Sequence, residues 1–136
     1  MKTRPILIVE DNPAERYLLQ HSFEEAKIQN EIIFANDGIH AYDLLINQGF
    51  KPFMIIADIN MPRMNGLELK KKLDEHGHLA TVPFIFMTHS IRESEVIAAY
   101  SLRAQGYFEK RDLENQTKLL ELITQYWKEA EIPRKD

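Results

Sequence analysis

The chain has 136 residues, of which 44% are hydrophobic and 28% are charged. This balance is typical of one soluble globular domain. A net charge of -4 and a pI of about 5.7 disfavour direct nucleic-acid binding, which needs a basic face. The lack of cysteine excludes disulfides, thiolate nucleophiles and cysteine-based zinc sites. We expect a cytoplasmic location without membrane insertion, because no signal peptide or membrane-spanning run is recognisable.

Short apolar runs alternate with stretches of helical periodicity five times along the chain. The first run, residues 6–9, is β-branched and continuous, which predicts a strand buried on both faces. Asn12 and Pro13 then suit the N-cap and first position of a helix. The predicted strands, in chain order, lie at 6–9, 31–35, 53–57, 82–87 and 106–108. The predicted helices lie at 13–26, 39–47, 67–77, 91–102 and 113–130.

The start of the fourth helix carries a specific signal. Ser90 is followed three residues later by Glu93, the pattern of a capping box, so Ser90 is predicted to be the N-cap. The alternation of strands and helices predicts a parallel sheet covered by helices on both faces. Five such units fit an α/β, flavodoxin-like, doubly wound sheet of strand order 2-1-3-4-5 with five helices.

Polar groups follow four of the predicted strands. Glu10 and Asp11 end the first strand, Asp58 the third, Thr88 the fourth and Lys110 the fifth. The carboxyl ends of the strands meet at one edge, where open α/β sheets bind ligands. Taken alone, Asp58 could equally cap the loop that follows it. The convergence of these groups favours a site.

The residue types indicate phosphoryl transfer. Crowded carboxylates repel one another unless a cation such as Mg²⁺, which prefers oxygen ligands, lies between them. The alternative is a set of acids spread along a hydrated rim. An Asp carboxylate can accept a phosphoryl group as a nucleophile, and an ammonium and a hydroxyl can stabilise the phosphoryl oxygens.

Four segments carry a resemblance to a known family. They are Ile-Val-Glu10-Asp11, the stretch from Asp58 to Gly66 (Asp-Ile-Asn-Met-Pro-Arg-Met-Asn-Gly), Met87-Thr88, and Gly-Tyr-Phe-Glu-Lys110. Along nearly its whole length the chain resembles the receiver domain of two-component response regulators, of the single-domain chemotaxis, phosphorelay or phytochrome-associated type. The domain is expected at 1–131, followed by a tail at 132–136.

The resemblance implies a role for each site residue. Asp58 would be the phosphoacceptor and bind Mg²⁺, Asp11 would ligate the ion directly, Glu10 through water and Asn60 through its backbone carbonyl.

For the switch, the resemblance implies three further residues. Thr88 and Lys110 would contact the phosphoryl group, and Thr88 with Tyr107 would form the switch pair, although Tyr107 could instead pack locally at a strand edge. The family usually has proline after the lysine, where this chain has Arg111. A cis bond before a non-proline residue is costly, so the peptide is either trans or strained.

The resemblance also implies partners. A histidine kinase or a histidine phosphotransfer protein would phosphorylate Asp58, and the face formed by the fourth helix, fifth strand and fifth helix would then bind an unknown downstream protein or form a homodimer. The chain would be a signalling phosphoacceptor rather than an enzyme. A phosphate-independent receiver-like adaptor is the alternative. A flavodoxin is disfavoured because Glu10 and Asp11 would repel a flavin phosphate, and a phosphatase because Asn60 replaces the second acid of such enzymes.

Overall fold

The computed structural model describes residues 2–132, which form five strands and six α-helices. The strands are β1 (Ile6–Val9), β2 (Ile32–Ala35), β3 (Met54–Ala57), β4 (Phe84–Thr88) and β5 (Gly106–Glu109). The α-helices are α1 (Pro13–Glu25), α2 (Gly38–Tyr42), α3 (Gly66–Leu73), α4 (Gly77–Ala80), α5 (Glu93–Ser101) and α6 (Leu113–Glu129), and a π-helical turn at Asp43–Asn47 continues α2.

The predicted sheet is confirmed. All neighbouring strands are parallel and their order is β2-β1-β3-β4-β5. Val9 is in register with Ala57, and Thr88 with Glu109. The residues that follow β1 and β3, and those that follow β4 and β5, therefore meet at one edge of the sheet.

Two apolar layers cover the sheet, one on each face. On one face, Ile6 and Ile8 of β1 share a buried cluster with residues of α1 and α6, including Phe23 and Leu120. On the other face, the alternate residues of β1 share a cluster with residues of α2, α3 and α5. Because both faces are covered, the central strands β1 and β3 are apolar and buried throughout, as the sequence predicted.

Two details of the predicted helices are wrong. The described residues contain six α-helices rather than five, because α4 forms one additional turn where the third predicted helix ended. The capping box at Ser90 does not form. The fourth predicted helix, α5, begins at Glu93, with Arg92 as an N-cap that makes no side-chain cap bond. Ser90 stays non-helical, and its backbone groups contact Tyr107 and Thr88 instead.

Ile132 packs against the cluster that contains α1 and α6, and residues 133–136 of the predicted tail lie outside the described residues. None of the helices between residues 2 and 132 combines the length and apolar character needed to cross a bilayer.

Candidate functional site

The carboxyl edge of the sheet brings three predicted site residues into contact. Lys110 Nζ lies 2.5 Å from Glu10 Oε1 and 3.4 Å from Asp58 Oδ2. Strand pairing sets this arrangement, because the Asp58 amide donates to the Val9 carbonyl and the Lys110 amide to the Thr88 carbonyl. The central acid of the predicted site therefore has an ammonium beside it.

Burial and charge determine the protonation of this group. Glu10 is 2% exposed and Lys110 5% exposed. Burial raises the pKa of Glu10 above its ordinary value, and the attraction of Lys110 offsets only part of this effect. Burial lowers the pKa of Lys110, but Asp58, Glu10 and Glu15 outweigh it, so the pKa of Lys110 is raised. Lys110 is therefore an ammonium at neutral pH.

The predicted magnesium ligands are only partly assembled. Within residues 2–132, no group of three or more His, Asp or Glu side chains is arranged to hold a metal ion. The reason lies in Glu10, whose two carboxylate oxygens face Lys110 and the Asn12 amide. The Asp11 carboxylate has no hydrogen bond or ion pair to any other residue in this range.

The donors that remain fit a hard divalent cation. Asp11 is partly exposed, and Asp58 directs one oxygen to the Asn60 amide at 3.3 Å and the other to Lys110. The metal ligands that Asp11 and Asp58 offer are carboxylate oxygens, the ligand type that Mg²⁺ prefers. Because Glu10 is held by Lys110, a contact of Glu10 with such an ion through water suits the geometry better than direct ligation.

The two predicted switch residues lie on neighbouring strands. Thr88 is buried at the end of β4, and its Oγ1 lies 3.5 Å from the Ser90 amide rather than bonding Asp58. The Tyr107 hydroxyl on β5 donates to the Ser90 carbonyl at 3.3 Å. Burial raises the pKa of Tyr107, and the charges of Glu95 and Asp58 add to this effect. Both residues therefore contact Ser90, and the Asp58 charge acts on the Tyr107 hydroxyl.

The peptide bond after Lys110 is trans, since no peptide bond among the described residues is cis. Arg111 thus occupies the usual proline position without a cis bond. Lys110 nevertheless reaches both Glu10 and Asp58.

The loop from Asp58 to α3 passes close to the Asp58 backbone at Gly66. A Cβ added to Gly66 would lie 2.3 Å from the Asp58 carbonyl oxygen, so only glycine allows this approach. Arg63 adopts a left-handed conformation with φ of 66° and forms an ion pair with the buried Asp37 at the start of α2. Burial raises the pKa of Asp37, but bonds from the His40 amide and from Arg63 together outweigh burial, so this pKa is lowered.

One residue in contact with the site, Glu15, was missed from the sequence, and so was its contact with His89. Glu15 lies in the first turn of α1, where Oε2 is 3.7 Å from Lys110 Nζ and Oε1 is 2.7 Å from His89 Nε2. The position of Glu15 was a usable signal, because α1 begins just after the acids that end β1. The partnership with His89, 74 residues away, had no sequence signal.

Comparison with known proteins identifies the family to which this fold belongs. The family model of the response regulator receiver domain matches residues 6–124. The response regulator Rcp1 of Synechocystis sp. is 32% identical over 131 residues, which cover 92% of this chain and 89% of Rcp1.

Solved structures give the same result. The phosphorylated cyanobacterial phytochrome response regulator RcpA superposes with a TM-score of 0.85 at 25% identity, over 95% of this chain and 97% of RcpA. The Mn²⁺-bound form of response regulator Rcp1 superposes with a TM-score of 0.82 at 29% identity, over 95% and 98% of the two chains. These relatives are signalling proteins rather than classical enzymes. The chain belongs to the response regulator receiver domain family of two-component signalling.

Proposed function

We propose that the chain is a response regulator in which Asp58 accepts a phosphoryl group. The observation that carries this proposal is the position of Lys110, whose ammonium lies 3.4 Å from Asp58 Oδ2 at the end of β3. A carboxylate beside a fixed cation provides the nucleophile and the counter-charge that phosphoryl transfer requires. The phosphorylated state named for RcpA supports the same chemistry.

In the proposed step, an Asp58 carboxylate oxygen forms a bond to phosphorus while the bond from phosphorus to the donor breaks. The electron pair of that bond leaves with the donor, which is the imidazole of a phosphohistidine or the acetate of acetyl phosphate. Lys110 balances charge on the phosphoryl oxygens, and the Asn60 amide, which donates to Oδ1, orients the carboxylate. The protein is thereby a phosphoacceptor and not a classical enzyme.

Asp11, Asp58 and the Asn60 carbonyl would hold Mg²⁺, with Glu10 contacting it through water. The metal named in the Mn²⁺-bound Rcp1 structure supports a divalent cation at this edge. When bound, the ion supplies further positive charge near the phosphoryl oxygens.

The donor would be a histidine kinase or a histidine phosphotransfer protein. The relationship to RcpA, a response regulator of a cyanobacterial phytochrome, makes a phytochrome-type sensor kinase the first donor to test.

The output surface would be the face formed by α5, β5 and α6. Ile97 and Tyr100 on α5, and Leu122 and Tyr126 on α6, are large apolar side chains that remain more than half exposed. Large exposed apolar side chains on neighbouring elements support a protein-binding role for this face. Phosphorylation adds about -1.5 to -2 charges, which Thr88 and Tyr107 would transmit from Asp58 to this face for partner binding or dimer formation.

The test is intact mass after incubation with acetyl phosphate and Mg²⁺. The wild type should gain one phosphoryl group, and Asp58→Asn should gain none. A chelator should abolish the gain. Asp43→Asn is a matched control, because the Asp43 carboxylate bonds only to nearby Asn47 and Gln48, and it should behave as wild type.

Two outcomes would contradict the proposal. A wild type that stays unmodified with acetyl phosphate and also with a phosphohistidine donor would indicate a phosphate-independent adaptor. A phosphoryl group retained in Asp58→Asn would assign a different acceptor.

A further inference from the structure

Glu15 is a carboxylate at the acceptor site that contacts two different nitrogen groups. Its Oε2 lies 3.7 Å from Lys110 Nζ, and its Oε1 lies 2.7 Å from His89 Nε2. Lys110 Nζ is in turn 3.4 Å from Asp58 Oδ2. Glu15 and Asp58 therefore each place one carboxylate oxygen near the same ammonium.

The direction of the His89 contact follows from the chemistry of its partner. An ionised carboxylate only accepts hydrogen bonds, so His89 Nε2 must donate its N–H to Glu15. This holds for the neutral tautomer with a proton on Nε2 and for the imidazolium alike. His89 follows β4, whereas Glu15 lies on α1, so the bond joins two elements on either side of the acceptor.

The charges around Lys110 put the acids in competition. One ammonium faces the carboxylates of Glu10, Glu15 and Asp58. A phosphoryl group on Asp58 would need the same ammonium, and a nearby negative charge opposes the arrival of an anionic donor. Glu15 Oε2 lies 3.7 Å from Lys110 Nζ, the longest of the three contacts, while Oε1 of the same carboxylate is bonded to His89.

We propose that Glu15 competes with Asp58 for Lys110 during phosphoryl transfer, and that His89 is a positioning residue that limits this competition by holding the Glu15 carboxylate. The inference rests on the proposed function of Asp58. It adds a pair of residues that determines how readily the site accepts a phosphoryl group.

The test is the initial rate of phosphorylation by acetyl phosphate and Mg²⁺, followed by intact mass. Glu15→Gln removes the competing charge and should react faster than wild type. His89→Ala frees Glu15 to approach Lys110 and should react more slowly. Each change should be about two- to fivefold, the size expected for a partly exposed ionic contact.

A double variant shows whether His89 acts through Glu15. Glu15→Gln with His89→Ala should react at the rate of Glu15→Gln alone, because no carboxylate remains for His89 to hold. His89→Gln should react at the wild-type rate, because the glutamine side-chain amide can donate a hydrogen bond to Glu15. If His89 had a purely structural role, His89→Ala would slow phosphorylation equally in the wild type and in Glu15→Gln. It would also lower the thermal unfolding midpoint of both proteins.

The chain offers a matched control pair on the same helix. His21 Nε2 lies 3.9 Å from Glu25 Oε1, and both side chains are exposed. His21→Ala and Glu25→Gln remove the same chemical groups without changing a contact to Lys110. Both variants should be phosphorylated at the wild-type rate.

Three results would overturn the inference. A Glu15→Gln rate equal to or below that of wild type would exclude competition for Lys110. An equal slowing by His89→Ala in both backgrounds would exclude action through Glu15. A wild type that accepts no phosphoryl group from any donor would overturn the proposed function together with this inference, whereas full incorporation at identical rates in all variants would overturn the inference alone.

Discussion

Lys110 and Glu10 form an ion pair at 2.5 Å in which both side chains are almost fully buried. The pair connects the ends of β1 and β5, which lie on opposite sides of β3 and β4 in the sheet. It also places the ammonium beside Asp58. Neither member of this buried pair can therefore be replaced alone without leaving the other side chain buried without its ionic partner.

Replacing Lys110 alone should strongly destabilise the fold. Lys110→Met leaves the buried Glu10 carboxylate without its cation, which typically costs about 3–5 kcal/mol. The double change of Glu10→Gln with Lys110→Met should recover most of this loss in urea unfolding. Lys118→Met is a control, since its partner Glu114 and Lys118 itself are exposed, and it should have little effect. A double variant as unstable as Lys110→Met would contradict this account.

Asp37 should make the fold sensitive to acid. Its pKa in the folded state is lowered from 3.8, so the native state binds a proton less readily than the unfolded state. Its contribution is present above pH 3.8 and is lost as the pH falls through the folded pKa. In unfolding experiments below about pH 4, Asp37→Asn should show a weaker decline than wild type. An identical decline would show that protonation of Asp37 does not contribute to the acid sensitivity of the fold.

Gly66 should not tolerate a methyl group. In Gly66→Ala the added Cβ would meet the Asp58 carbonyl oxygen at 2.3 Å, and such overpacking typically costs about 1–3 kcal/mol. Gly77→Ala is the matched control, because no atom lies within 4 Å of its added Cβ. Thermal unfolding should show a clear decrease for the first variant and none for the second. An unfolding midpoint of Gly66→Ala equal to that of the wild type would mean that the loop after Asp58 can move aside.

Tyr107 should report the charge of Asp58. The pKa of Tyr107 is raised above 10.0 mainly by burial, with Glu95 and Asp58 contributing. Because a neighbouring negative charge disfavours the phenolate, Asp58→Asn should lower the Tyr107 pKa toward its ordinary value. NMR titration of the tyrosine rings would measure this change, with Tyr107→Phe identifying the signal. An unchanged Tyr107 pKa in Asp58→Asn would show that the Asp58 charge does not act on the Tyr107 hydroxyl.

Thr88 should be needed for the response more than for phosphorylation itself. Thr88→Ala removes a hydroxyl that contacts the Ser90 amide but makes no hydrogen bond to Asp58. Phosphoryl incorporation should remain within about threefold of wild type, the effect of one lost hydrogen bond. The phosphorylation-dependent changes at Tyr107 and on α5 should be reduced. Amide chemical shifts before and after phosphorylation would measure them, and an unaltered response would exclude Thr88 from the switch.

The sequence determined the sheet and the residues at its edge. Short apolar runs that alternate with helical segments predicted a parallel sheet covered on both faces, and five such units fit the order 2-1-3-4-5. The convergence of Glu10, Asp58 and Lys110 at one edge was therefore predictable. Local signals were less reliable. Ser90 and Glu93 match a capping pattern, but α5 begins at Glu93 with Arg92 as its N-cap, and the backbone groups of Ser90 contact Tyr107 and Thr88.

Only the tertiary structure determined the ion-pair partner of each charged group. Glu10 is turned to Lys110 instead of joining a cluster of acids, because its burial makes an ionic partner necessary. His89 and Glu15 meet although 74 residues separate them. Periodicity fixes the face on which a residue lies, whereas an ion pair depends on the distance between side chains of different elements, which exists only after the sheet and its helices have packed.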